Sequence, residues 1–210
     1  MGSWSPYVIR EGDHLPKLAL RMGFDANAVW QSDENASLRK VRADSNMLCA
    51  GDVLYVPPAP PAKWLSVKVG QQNKYVVNVP MVTVSLVLAK NGKPIANTPC
   101  TVVGIQAQSP LQTDGAGKLT FEAPASLESV TVEIPSLQIV RRMRIGHLDP
   151  IDETSGLLQR LRNLNFLGPS QPTPDMLSSA VSAFQRANGL DPSGEVDADT
   201  RSKLESVHGC

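Results

Sequence analysis

Apolar residues change their spacing twice along this chain. Tyr7-Val8-Ile9-Arg10 reads as a short strand, and Glu11-Gly12-Asp13 interrupts it as a turn. Leu15, Leu18, Ala19 and Met22 then recur at the spacing of one helix face, with Asp13 placed to cap that helix and Gly23 to stop it. Asp25 caps a second short helix over Ala26 to Trp30. A polar stretch, Gln31 to Asn46, leads to the turn Cys49-Ala50-Gly51-Asp52 and a closing strand, Val53-Leu54-Tyr55-Val56, which Pro57 ends. The order is βααβ. The two strands are expected to pair antiparallel with both helices on one face.

From Trp64 the spacing changes to period two. Leu65–Val69, Val82–Leu88, Cys100–Ile105, Lys118–Glu122, Ser129–Ile134 and Gln138–Ile145 read as strands. Asn91-Gly92 and Asp114-Gly115-Ala116-Gly117 are turn signals between them. About seven strands at this spacing predict an antiparallel β-sandwich. Helical spacing returns after residue 150. Leu157, Leu158, Leu161, Leu164 and Phe166 form one stripe behind a Thr154 or Ser155 cap. Met176, Leu177, Ala180, Val181, Phe184 and Ala187 form a second, capped by Asp175 and ended by Asn188-Gly189. Asp197 caps a short last helix through Leu204.

The predicted organisation is a multidomain α+β chain. Residues 7–57 form the βααβ unit, 58–63 a Pro-rich linker, 64–147 the β-sandwich, and 150–208 a three-helix bundle. Four prolines in Pro57–Ala62 favour an extended, semi-rigid spacer. Charge supports the division. Residues 1–60 are near balance, residues 61–147 carry nine Lys/Arg against four Asp/Glu, and residues 148–210 carry five against nine. The chain as a whole is formally neutral, which gives no global electrostatic case for nucleic acid or membrane binding. Arg141-Arg142-Met143-Arg144 is the densest charge, on either a partner-binding edge or a solvated edge strand guarded by charge.

Three resemblances follow from these motifs. Y-V-I-R-E-G-D-H-L, a helix, and C-A-G-D-V-L-Y-V-P resemble the LysM domain. The resemblance implies a non-catalytic fold that binds N-acetylglucosamine-containing glycan, peptidoglycan above all. Its groove residues would be Gly12, Asp13, His14 and Leu15 in the first loop and Ala50, Gly51 and Asp52 in the second. His14 stands where the family has Thr or Ser, and the Gln31–Asn46 connection is longer than usual. N-G-K-P-I-A-N-T-P-C-T-V and T-D-G-A-G-K-L-T-F resemble the carboxypeptidase-regulatory or transthyretin-like sandwich, which implies a spacer or binding surface. A-V-S-A-F-Q-R-A-N-G-L-D-P-S-G-E-V-D-A-D-T-R-S-K-L resembles the three-helix peptidoglycan-binding type-1 domain. There the candidate polar contacts are Arg186, Asn188, Asp197 and Thr200.

No constellation predicts catalysis. The acids of the sandwich segment (Asp114, Glu122, Glu128, Glu133) do not single out a facing carboxylate pair. His14, His147 and His208 are scattered, no CxxC occurs, and Cys49, Cys100 and Cys210 have no disulfide-framework spacing, so neither a metal nor another cofactor is expected. The N-terminal residues carry no basic and apolar signal pattern, and no apolar run is long enough to span a membrane. A bacterial protein made in the cytoplasm, reaching the cell wall by a non-classical or injection route, is the expected setting. The expected function is non-catalytic peptidoglycan binding through two modules. The alternative is a structural adaptor or spike-loaded cargo of a contractile injection system, with a secretion-apparatus or toxin protein as partner.

Overall fold

The computed structural model describes residues 3–61, 64–90, 93–106 and 110–208. The Asn91-Gly92 turn signal, the last linker residues and Cys210 lie outside these described residues. The fold is mixed α/β, with six α-helices and small antiparallel sheets among the described residues. The backbone separates into two compact units, Met1–Val82 with Pro124–Ser126, and Thr83–Ala123 with Leu127–Cys210.

In the first unit, strand β1 (Ser5–Val8) precedes helices α1 (Leu15–Met22), α2 (Ala26–Gln31) and α3 (Ala36–Val41), and strand β2 (Val53–Val56) follows them. β1 begins two residues earlier than its apolar run suggests. It pairs antiparallel with β2, Ser5 opposite Val56 and Val8 opposite Val53. Ile9 extends the ladder by donating to the Asp52 carbonyl (2.8 Å) and accepting from the Gly51 amide (2.9 Å). Leu15 and Leu18 of α1, Val29 of α2 and Leu54 of β2 close over Ile9 and Leu48 as a small core. α1 stops at Gly23, whose φ of 77° lets its amide return to the Ala19 carbonyl at 2.8 Å.

Helix α3 corrects the βααβ order to βαααβ. Its sequence has little apolar periodicity, and polar anchors hold it instead. The buried Asn35 amide donates to the carbonyls of Val29 (3.0 Å) and Tyr55 (2.8 Å) and accepts from the Tyr55 amide (2.8 Å). Arg39 donates to the carbonyls of Ser32 (2.6 Å) and Trp30. Tertiary hydrogen bonds thus override weak local preference. Beyond β2, Gly23 and Pro60 lie so close that a Cβ on Gly23 would sit 3.0 Å from the proline ring.

The expected strand Leu65–Val69 does not form: Val69 and Gly70 make a turn, and no residue from 64 to 80 belongs to a sheet. The second unit holds most of the remaining strands: β3 (Met81–Val87), β4 (Ala89–Lys90), β5 (Lys93–Pro94), β6 (Pro99–Val103), β7 (Leu111–Gln112), β8 (Lys118–Pro124), β9 (Ser129–Ile134) and β10 (Ile139–Arg144). One sheet has the order β10-β9-β6-β7, a second pairs β3 with β8, and β4 pairs with β5. Alternation aims Leu119, Phe121 and Ala123 of β8 and Val130, Val132 and Ile134 of β9 into one core with Cys100 and Val102. Gly117, at φ 80°, is a turn position where a Cβ would lie 2.5 Å from the Leu88 carbonyl, so only glycine fits.

A third core gathers helices α4 (Thr154–Asn163), α5 (Pro174–Ala187) and α6 (Ala198–His208) around Leu161, Val181, Phe184 and Leu204. Phe166 meets Phe184 edge-on at 5.4 Å. Two caps differ from expectation. Glu153, not Thr154 or Ser155, precedes α4. Thr173 rather than Asp175 caps α5, accepting from the Met176 amide at 3.3 Å, because Pro174 takes the first helical position.

Candidate functional site

The three-helix region carries an open depression of about 400 Å³ on the solvent side of α5. Ser178, Ser182 and Arg186 recur at one-turn spacing along α5 and form one wall. Ser193 and Gly194 of the loop before α6 form the other. The site therefore offers hydroxyls, a guanidinium and backbone, suited to a hydroxyl- or carboxylate-bearing ligand rather than an apolar one.

Gln185 sets the geometry. Its side chain is 1% exposed and spends its amide on the loop. Nε2 donates to Ser193 Oγ (3.2 Å), the Glu195 carbonyl (2.9 Å) and Thr200 Oγ1 (2.9 Å). Oε1 accepts from the Gly194 amide at 2.9 Å. Gly194 has φ 75°, and a Cβ there would lie 2.4 Å from Ser178 Oγ, so the loop approaches α5 only with glycine at this position.

The four candidates from the sequence separate here. Arg186 lies in the depression. Asn188 turns back to donate to the Phe184 carbonyl at 2.8 Å. Asp197 caps α6, accepting from the Thr200 amide at 2.7 Å, and the hydrogen bonds from the Thr200 side chain and amide hold its carboxyl below the ordinary aspartate value. Thr200 is 2% exposed and faces Gln185. Gln185 and the serines did not stand out in the sequence. The signal available was a polar residue next to Phe184 on an otherwise apolar helix face. Arg162 holds the loop between α4 and α5, donating to the carbonyls of Gly168 (3.2 Å) and Ser170 (3.1 Å).

The first unit presents its two candidate loops unequally. Ala50 and Gly51 are exposed, while Gly12, Asp13, His14 and Leu15 are all buried. Asp13 does not cap α1. Its carboxylate accepts from Tyr7 Oη (2.7 Å) and the Arg10 amide (3.1 Å), and Arg21 approaches it to 3.5 Å. His14 takes the cap position with no side-chain bond to the helix. Instead its ring, 4% exposed, hydrogen-bonds the backbone of Ala125 in the Pro124–Ser126 turn of the same unit. Burial, then the nearby Lys17, pushes the imidazole below its usual value, while Asp13 and the Ala125 bond pull the other way. Asp52 is fixed by a two-pronged pair with Arg42 (2.8 and 2.9 Å) and accepts from the Cys49 amide at 2.8 Å.

Among the described residues no cluster of three or more His, Cys, Asp or Glu could hold a metal ion, and no helix is long and apolar enough to cross a membrane. Burial pushes the Cys100 thiol above its ordinary value, which disfavours the nucleophilic thiolate.

Residues 155–204, from the start of α4 to Leu204, match a family described as "Putative peptidoglycan binding domain". The match spans α5, the depression beside it and most of α4 and α6. No curated protein and no solved structure matches the chain.

Proposed function

We propose that this protein binds peptidoglycan without catalysis, and that the depression beside α5 is where its C-terminal region meets the polymer. The observation that carries the proposal is the family match over residues 155–204, coincident with a polar cleft whose far wall Gln185 pins in place. Peptidoglycan offers sugar hydroxyls and stem-peptide carboxylates. Serine hydroxyls suit the former and the Arg186 guanidinium the latter. Sedimentation with purified sacculi tests the reading. The full chain should co-sediment, and Arg186→Glu, at an exposed position, should reduce retention about tenfold with an unchanged unfolding midpoint. Retention no better than an unrelated protein would end the proposal.

A second reading has its own observation. In the first unit one of the two loops expected to contact glycan, Gly12–Leu15, is buried, and His14 is bonded to the protein's own backbone. This favours a protein-contacting role for the LysM-like region, in keeping with an adaptor of an injection apparatus. Glycan titration followed by NMR separates the two readings. Shifts at Gly12–Leu15 or Ala50–Asp52 would assign glycan to the first unit; silence at both loops, with shifts around Ser178–Gly194, would support the protein-contacting role.

A further inference from the structure

Peptidoglycan presents two kinds of polar group, sugar hydroxyls and peptide carboxylates, and the depression beside α5 is built for the second. Apart from Arg186 and Gly194, its lining is serine and one alanine, Ala183. No aromatic side chain, no large aliphatic one and no carboxylate is among the lining residues. A sugar ring has an apolar face as well as hydroxyls, and a site that holds such a ring covers that face with apolar or aromatic side chains. This depression has none to offer.

The hydrogen-bonding balance calls for a ligand that accepts. Arg186 is exposed, and among the described residues its guanidinium has no hydrogen bond or ion pair. On the facing wall, Ser193 Oγ accepts twice, from Gln185 Nε2 (3.2 Å) and from the Glu195 amide (3.2 Å). A hydroxyl has two lone pairs and one proton, so what Ser193 has left to give is its O–H. The hydroxyls of Ser178 and Ser179 are uncommitted among the described residues. Ser182 is engaged otherwise, donating to the Pro192 carbonyl at 3.1 Å and tying the loop to α5.

Charge points the same way. Residues 148–210 carry nine Asp/Glu against five Lys/Arg, yet the depression is lined by one cation and no acid. Arg186 lies in the last turn of α5, where the helix dipole by itself favours a basic residue. The dipole does not explain why the facing wall holds Ser193 with only a proton to spare. A carboxylate is planar and accepts without donating, which suits a guanidinium fork with O–H donors beside it. In intact peptidoglycan the sugar acids are tied up in amide links, so the free carboxylates belong to the stem peptides. Resting on the peptidoglycan reading above, we propose that this cleft recognises a stem-peptide carboxylate rather than the sugar chain, and that Arg186 determines that specificity.

Sacculi whose carboxylates have been converted to amides with a carbodiimide and ammonia keep their sugar hydroxyls, and so separate the two ligands. On untreated sacculi Arg186→Gln should lower retention of the full chain about tenfold, the scale of one charge-assisted hydrogen bond, with an unchanged unfolding midpoint. On amidated sacculi the wild type should fall to the level of the variant, and the substitution should change nothing further. In NMR titrations, amides across 178–194 should shift with soluble fragments that carry the stem peptide. They should stay still with a peptide-free N-acetylglucosamine tetramer. An Arg186→Gln loss of equal size on untreated and amidated sacculi overturns the proposal. So does a variant retained as well as the wild type on untreated sacculi, or a shift of those amides by the sugar tetramer. Each of these results leaves peptidoglycan binding itself standing, whereas a wild type not retained on untreated sacculi ends both readings.

Discussion

Gln185 is the residue on which the C-terminal cleft depends. Gln185→Leu conserves the apolar packing but leaves the Gly194 amide and the Glu195 carbonyl without their partner. Such a loss costs about 2–3 kcal/mol, to be read as a lower denaturant midpoint. Sacculus retention should fall further than stability alone accounts for, because the Ser193–Gly194 wall loses its anchor. Retention that followed stability alone would mean the cleft is not the contact surface.

His14 supplies a second residue-scale test, in pH. Its folded value is depressed relative to the ordinary 6.5, so the unfolded chain takes up the proton first as pH falls. The stability associated with its burial is therefore fully present above about pH 6.5 and declines below that value as the folded value is approached. The unfolding free energy of the wild type should decline from pH 7 toward pH 5, and His14→Gln should flatten that part of the curve. Equal slopes in the two proteins would show that His14 does not titrate against folding.

Among the elements, α5 is the most readable and α3 the least. The apolar stripe of α5, its Asn188-Gly189 stop and the Asp197 cap of α6 could all be placed from residue spacing, because local pattern and tertiary packing agree there. Its Thr173 cap follows from Pro174. Thr173→Ala should cost about 1 kcal/mol, measured by chemical denaturation, and a change within error would show that the cap is not needed. α3 was not legible because Asn35 and Arg39 stabilise it through carbonyls distant in sequence. The Leu65–Val69 run was misread for the opposite reason. Its alternation is that of a strand, but no strand among the described residues pairs with it. In the cleft, Arg186 was legible as an exposed charge beside the A-F-Q motif, whereas Gln185 was hidden by its burial and by partners eight to fifteen residues away.

At the scale of the whole molecule, the described residues gather three hydrophobic cores: around Ile9 and Leu54, around Phe121 and Val132, and around Leu161 and Phe184. The cleft beside α5 is built by the last of these alone.

The buried first loop has a thermodynamic corollary. While the His14 ring is bonded to the Ala125 backbone, a ligand can use Gly12–Leu15 only in the fraction of molecules where that contact has opened. A loop open about one time in a hundred would hold any ligand about a hundredfold more weakly than its intrinsic contacts permit. The first unit would then behave as a latch, silent toward dilute ligand and responsive only where local concentration outweighs the cost of opening.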